Sequence, residues 1–416
     1  MPERKLLTNG SVLACTPDCA GSPQPGEVLI DGDRILAVGA GPLGIDSGSA
    51  RRIDLRGATV MPGLGDAHTH ISWPLDFVFD HAAIARTDPA RHALEVAAVT
   101  RTYIESGYTM IVGAGVTQPQ DDLLARDAIE AGEIAGPRIV PSGPMITAPD
   151  CLGDESGLMQ VAGNAAELRE LVARQCDQGV KALKLFVSGD GIVDGFPSED
   201  TYMDETMVAA GVNEAEKHGA FLTVHARGAE SVAMAARAGV RLIHHACFID
   251  DDALKALEER GEDVWVCPGI HYLWSMVTGR AEPWGMTPEK IEKSGYAQEL
   301  KAQIAGIKAM SAAGVKIVAG GDFGHQWTHH GTYAAELQRY VDQCGMTPAE
   351  AIVTGTRNFA ALIDQPVGEI REGALADLLV VEGDPTQDIA ILQQPGKRRA
   401  VMKGGTFAYL NPEFYT

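Results

Sequence analysis

From Leu6 to Ile53 the chain consists of short apolar, β-type runs separated by turn residues: SVLAC, a Pro/Gly stretch over Gly21–Gly26, then EVLIDGDRILAVG. An Asp-Gly pair between two alternating runs predicts a hairpin. The same character returns near the other end in ALADLLVVEGD and AVMKGGTFAY. The two terminal segments are therefore expected to pair in a small antiparallel sheet, one discontinuous domain of residues 1–60 and 365–416.

Between them, in residues 61–364, apolar β runs alternate with stretches of helical period. The β candidates are ATVMPG, TMIVGAG, RIVPSG, ALKLFVSG, FLTVHA, RLIHHA, DVWVCPG and KIVAGGD. Helices are predicted over His92–Ser106, Gln120–Ala131, Ala165–Gln178, Asp204–His218, Gly228–Ala238, Asp250–Arg260, Ala297–Ala313 and Tyr333–Cys344. Eight strand–helix units in about three hundred residues match an α/β fold of the (β/α)8 TIM-barrel type in count and size. The rival, a doubly wound open sheet, lacks a G-x-G-x-x-G phosphate loop after its first strand. No short-period repeat or low-complexity segment interrupts the pattern.

Composition narrows the function classes. With 416 residues, 45% hydrophobic and 22% charged, the chain has the apolar surface for a sizeable core. Its 34 basic and 56 acidic side chains give a net charge of −22, which opposes attraction to phosphate backbones and anionic lipid and also favours solubility. Neither nucleic acid nor membrane is expected as a partner. The opening MPERKLL does not resemble an export signal, and no run of 18 apolar residues occurs. Seven scattered cysteines suit reduced thiols in a cytoplasmic compartment. Cys15 and Cys19 form the only close pair, and without a matching downstream pair they read as ordinary cysteines rather than a zinc knuckle.

Most of the middle β runs end in a polar residue, and in a barrel the C-terminal strand ends line one cavity. His68 and His70 in GDAHTH, one residue apart, point to the same side of an extended strand. His225, the pair His244 and His245, and Asp322 stand at the ends of later runs. The fourth run, VKALKLFVSG, places Lys181 and Lys184 among apolar neighbours, where an ammonium ion must be paired or lose its proton. Lys184, nearer the strand end, is open to two readings: a lysine paired with a carboxylate, or a neutral amine that adds carbon dioxide to give a carbamate.

MPGLGDAHTH, the lysine in LKLF, TVHARG, HHACFID and VAGGDFG, followed by PAEAIVTGTRNFAAL and GEIREGALADLLVVEGDP, resemble the amidohydrolase superfamily in its imidazolonepropionase-like and Xaa-Pro-dipeptidase-like branch. The similarity spans nearly the whole chain. It implies a (β/α)8 barrel joined to a small β-sandwich domain built from both termini. It also implies that His68, His70 and Asp322 bind one divalent cation, that His225 and His245 bind a second, and that Lys184, carboxylated by CO2, bridges them. His245 is preferred to His244 because it matches the family's histidine before a short run of the ACFID kind. Strand alternation then turns His244 away, to pack among helices or to hydrogen-bond behind the site.

Such a pair of cations can generate a bridging hydroxide, with Asp322 as general acid and base, for hydrolysis of a small-molecule C–N bond. The substrate classes are an N-acyl amino acid or dipeptide amide, a carbamate or a urea. His and carboxylate donors suit zinc without excluding manganese, cobalt or iron. Loop residues His271, Tyr272, Arg227, His325, His330 and Trp73 are the candidate substrate contacts, with His329 beside them. Arg227 has a second reading as the partner of a barrel carboxylate. A mononuclear cyclic-amide hydrolase of the imidazolone type, or a deaminase, is the alternative, and a non-catalytic scaffold the more distant one. The resemblance further implies a homo-oligomer.

Overall fold

The strands at the two ends of the chain interleave in a single eight-stranded sheet. A computed structural model describes residues 4–18, 21–41, 43, 50–73, 88–151 and 159–412. Cys19 lies outside them, while its candidate mate Cys15 is buried. β1 (Lys5–Val12) pairs antiparallel with β2 (Gln24–Asp31), which pairs with β3 (Arg34–Gly39). The hairpin falls at the predicted Asp-Gly, with Gly32 at φ 61°. β4 (Arg51–Asp54) and β5 (Thr59–Pro62) both run parallel to β1, a departure from the all-antiparallel expectation. The two ends of the chain meet where β5 pairs antiparallel with β16 (Leu378–Val381), Val60 opposite Val380. β17 (Arg398–Lys403) and β18 (Thr406–Leu410) complete the sheet. A separate core of Leu7, Val28, Ile30, Val60, Leu378, Val380 and Met402 fills it.

The run ATVMPG therefore belongs to the terminal sheet, and the first barrel strand is β6 (Leu64–Thr69). Pro62 and Gly63 make the switch. Gly63 N donates to Asp377 O at 2.9 Å, and a Cβ on Gly63 would collide with Thr109. The other seven staves are β7 (Tyr108–Gly113), β8 (Arg138–Val140), β11 (Ala182–Phe186), β12 (Phe221–Ala226), β13 (Leu242–His245), β14 (Trp265–Cys267) and β15 (Lys316–Ile317). All their pairings are parallel. Pro141 O, accepting from Lys181 and Ala182, joins β8 to β11. Ala67 N to Ala319 O at 2.8 Å and His70 N to Phe323 O at 2.9 Å join the last stave to the first, closing the ring. β9 (Ile146–Thr147) and β10 (Gln160–Val161) form a small parallel addition beside β11.

Each predicted helix forms within a few residues of its expected bounds. Side-chain caps set several starts: Asp88 caps Pro89–Glu105, Asn164 caps Ala165–Asp177, Asp204 caps Glu205–Lys217 and Asp250 caps Asp251–Arg260. Apolar residues on alternate strand positions, Leu183, Leu185, Leu222, Val224, Ile243 and Val266, pack in the outer core with these helices. The intervening positions face the lumen. Among the described residues no helix is long and apolar enough to cross a membrane.

The turn between β17 and β18 gives a stability test. Gly405 sits at φ 70°, and a Cβ there would strike the carbonyl of Gly32. Gly405→Ala is expected to lose about 2 kcal/mol or more, from left-handed strain plus a backbone collision, read as a lower urea midpoint. An unchanged midpoint would refute the close approach.

Candidate metal centre

Lys184 occupies an inward position on β11, between Leu183 and Leu185, whereas Lys181 lies outside the barrel and donates to His218 O. Its Nζ stands 3.3 Å from His68 Nε2. Asp322 Oδ1 faces the same nitrogen at 3.4 Å and His70 Nε2 at 3.2 Å, without hydrogen-bond alignment to either. One donor atom from each of His68, His70 and Asp322 fits within a 4.8 Å span, and all three residues are buried. Across the lumen the His225 and His245 rings are 4.5 Å apart, and His245 is 5.1 Å from His68. The six residues singled out from separate strand ends thus converge.

Backbone shape aims two of them. Asp322 has φ 55°, and His245 and the following Ala246 have φ 73° and 45°. By strand alternation His244 faces inward, in register with His225 and Cys267, and His245 should face out. The left-handed turn at His245 breaks that alternation and brings its ring back toward the lumen. The expectation that His244 packs among helices or bonds behind the site is thereby corrected. Its ring lies 4.0 Å from that of His68, and neither of its nitrogens has a hydrogen-bond partner.

Electrostatics prepares these groups for a cation. Burial drives the His68 and His245 imidazoles well below their ordinary pKa and His225 to about 3, so all are neutral at pH 7, the form that ligates metal. Burial likewise pushes the Lys184 amine down to about 7 against the pull of Asp322. Desolvation opposes the Asp322 carboxylate, but the His70 contact and the neighbouring His325 imidazole hold it below the usual carboxylate range. Carbonyls orient the rings: His70 Nδ1 lies 3.3 Å from Gly115 O and His225 Nε2 3.1 Å from Gly189 O, which leaves the opposite nitrogen of each free to ligate. Neutral imidazoles facing a carboxylate oxygen that lacks a hydrogen bond fit a divalent cation at His68, His70 and Asp322.

The amidohydrolase family model matches residues 59–408. The chain belongs to the amidohydrolase family. Ochratoxinase of Aspergillus niger is 26% identical over 420 residues, spanning 92% of this chain and 83% of that protein. Imidazolonepropionase of Anaeromyxobacter dehalogenans is 26% identical over 90% of this chain and 89% of its own. A crystallised Xaa-Pro dipeptidase with methionine bound in its active site shares 26% identity at a TM-score of 0.85, over 98% of this chain and 100% of that one. This amidohydrolase is a hydrolase acting on carbon–nitrogen bonds, in a family that is generally metal-dependent.

Around the centre, Trp73 stacks on His70 at 3.7 Å and meets His325 edge-on at 4.7 Å. His325 Nδ1 lies 3.1 Å from Asp322 O, and Tyr272 lies edge-on to His325 at 5.0 Å. His271 turns toward Ser275 and Trp274 in the helix Ile270–Val277, and His330 toward Tyr333. His330 also reaches the backbone of His70, so it adjoins the cluster, whereas His271 does not. His329 is exposed. The Arg227 guanidinium is taken up by Asp190 at 2.9 Å and Glu299 at 2.5 Å, inside the protein and beside Tyr296.

Three supporting carboxylates in this amidohydrolase carried no sequence signal used above. Asp66 accepts from His68 N at 3.0 Å and from the Tyr103 hydroxyl at 2.8 Å, and burial raises its pKa to about 8. Its place inside GDAHTH was the available signal. Asp190 and Glu299 bracket Arg227, and only the fold brings Glu299 across from its helix Tyr296–Ala312. Glu299→Leu should destabilise the protein by about 3–5 kcal/mol, because it strips one partner from a buried cation. Chemical denaturation checks this, and a loss under about 1 kcal/mol would show the pair to be dispensable.

Proposed function

We propose that this amidohydrolase is a dinuclear enzyme that cleaves the amide C–N bond of a small N-acyl amino acid or dipeptide. The observation that carries the reading is Lys184 Nζ at 3.3 Å from His68 Nε2, beside the His68, His70 and Asp322 set and the His225–His245 pair. A neutral amine in that position can become a carbamate with an oxygen for each cation. This supports two ions over the mononuclear, imidazolone-type alternative. The substrate class draws on the relatives: a dipeptidase with an amino acid in its active site, and ochratoxinase.

A pair of divalent ions bound there, zinc by ligand type, would lower the pKa of a shared water and polarise the scissile carbonyl. The protein supplies the proton path. Asp322, held as a carboxylate, accepts the proton that water gives up and returns it to the departing nitrogen, so that amide and water become acid and amine. Trp73, stacked on His70, shields one side of the site from bulk solvent. The test is elemental analysis of the purified chain with a hydrolysis screen over N-acyl amino acids, dipeptides, carbamates, phenylureas and lactams. Two ions per chain with turnover of N-acyl amino acids or dipeptides is expected. One ion per chain with turnover confined to lactams would overturn the proposal.

A further inference from the structure

Overlapping the hydrolytic donors at His68 lies a second convergence of ligating atoms. β12, β13 and β14 place His225, His244 and Cys267 level with one another on adjacent staves. The donor atoms of His68, His244 and Cys267 all lie within 4.8 Å of one another, and the three residues are buried. His244 has no exposed surface and no hydrogen bond at either ring nitrogen. His68 Nδ1, the nitrogen not turned to Asp322 and Lys184, also lacks a partner. Polar atoms are seldom left bare in a protein interior, so unpartnered ring nitrogens beside a thiol call for an occupant. The backbone makes room for the cluster at Gly320, where a Cβ would stand 2.6 Å from Cys267 Sγ and 2.6 Å from His68 N.

We propose that His68, His244 and Cys267 form an alternative cation site, sharing His68 with the hydrolytic set, that takes one Cu⁺ ion. Thiolate combined with imidazole selects soft or borderline cations. Three ligands are present, whereas zinc in a closed structural site takes four. Charge suits the monovalent ion: Cu⁺ and the Cys267 thiolate sum to zero, so binding adds no net charge to a dry interior. Binding releases the thiol proton, Cys–SH and Cu⁺ giving Cys–S–Cu and H⁺, with no change in oxidation state. His68 would bind through Nδ1 and keep its proton on Nε2, so the site fills only in a chain whose His68 holds no hydrolytic ion.

The experiment titrates the purified full-length chain, treated with a chelator, with Cu⁺ supplied anaerobically as its acetonitrile complex. A colorimetric Cu⁺ chelator competes, and the ultraviolet thiolate-to-copper absorption is recorded. One Cu⁺ per chain with that band, and X-ray absorption showing one sulfur and two nitrogen neighbours, is the expected result. His244→Leu and Cys267→Ala should each abolish the band and weaken binding by roughly 100-fold or more. Cys176→Ser, at a partly exposed cysteine elsewhere, should keep both. Absence of the band in the wild-type chain overturns the proposal whether or not the variants fold. So does a band that follows Cys176, or a site at these residues that prefers Zn²⁺ to Cu⁺.

Discussion

Asp322→Asn is expected to lower kcat by about 10³-fold while most of the bound metal remains. Asparagine suits the test because Asp322 sits at φ 55°, a conformation that Asn adopts more readily than other side chains. The backbone that positions the group is therefore undisturbed. The amide keeps an oxygen to face His68 and His70, so the set at 3.2–3.4 Å persists. It cannot accept a proton and return it as a carboxylate does. The measurements are kcat on any substrate found in the screen and metal content by elemental analysis. Full activity at unchanged metal content would remove Asp322 from the proton path.

Lys184→Met should be equally damaging, lowering kcat by roughly 10³-fold or more and reducing metal from two ions to one per chain. Misfolding can be separated from this loss by pH. Burial depresses the Lys184 amine to about 7 in the folded metal-free chain, whereas an unfolded lysine keeps its proton to about 10.4. Between those values the unfolded state holds the extra proton, so the lysine weakens folding increasingly as pH falls from about 10.4 toward 7. The metal-free methionine variant should therefore be more stable than the parent at pH 7, with the advantage shrinking toward pH 10. Carbamate formation, R–NH2 and CO2 giving R–NH–COO⁻ and H⁺, needs the neutral amine. At fixed dissolved CO2, reconstitution with metal should accordingly be faster above pH about 7 and slow in CO2-free buffer. A variant that keeps two ions and turns over normally would dismiss the bridging role.

The parts of this molecule that follow from local chemistry were legible in the residues. Helix starts at Asn164, Asp204 and Asp250 carry their own caps, and the Asp-Gly hairpin needs only its turn. The converging ligands were readable because His68, Lys184, His225 and Asp322 interrupt apolar runs where nothing in packing calls for a polar group. What escaped depends on distant partners. ATVMPG reads as a barrel strand, and its pairing with β1 and β16 pulls it into the other sheet. Resemblance ranks His245 first, but turning His244 away from the lumen assumes an unbroken extended chain, and two successive positive φ angles defeat that assumption. The helix Ile270–Val277 is nearly all apolar, and periodicity cannot separate such a run from a strand. Arg227 had two readings until Glu299 arrived from 72 residues away.

The ring of staves closes where β6 meets the segment after β15, and His68, His70 and Asp322 stand at that same join. An ion gripped there would rivet the earliest stave to the latest, across the longest interval of chain the barrel spans. Stripping it should leave the seam as the first place to gape, with amide exchange quickening at Phe323 and His70 before the opposite wall responds.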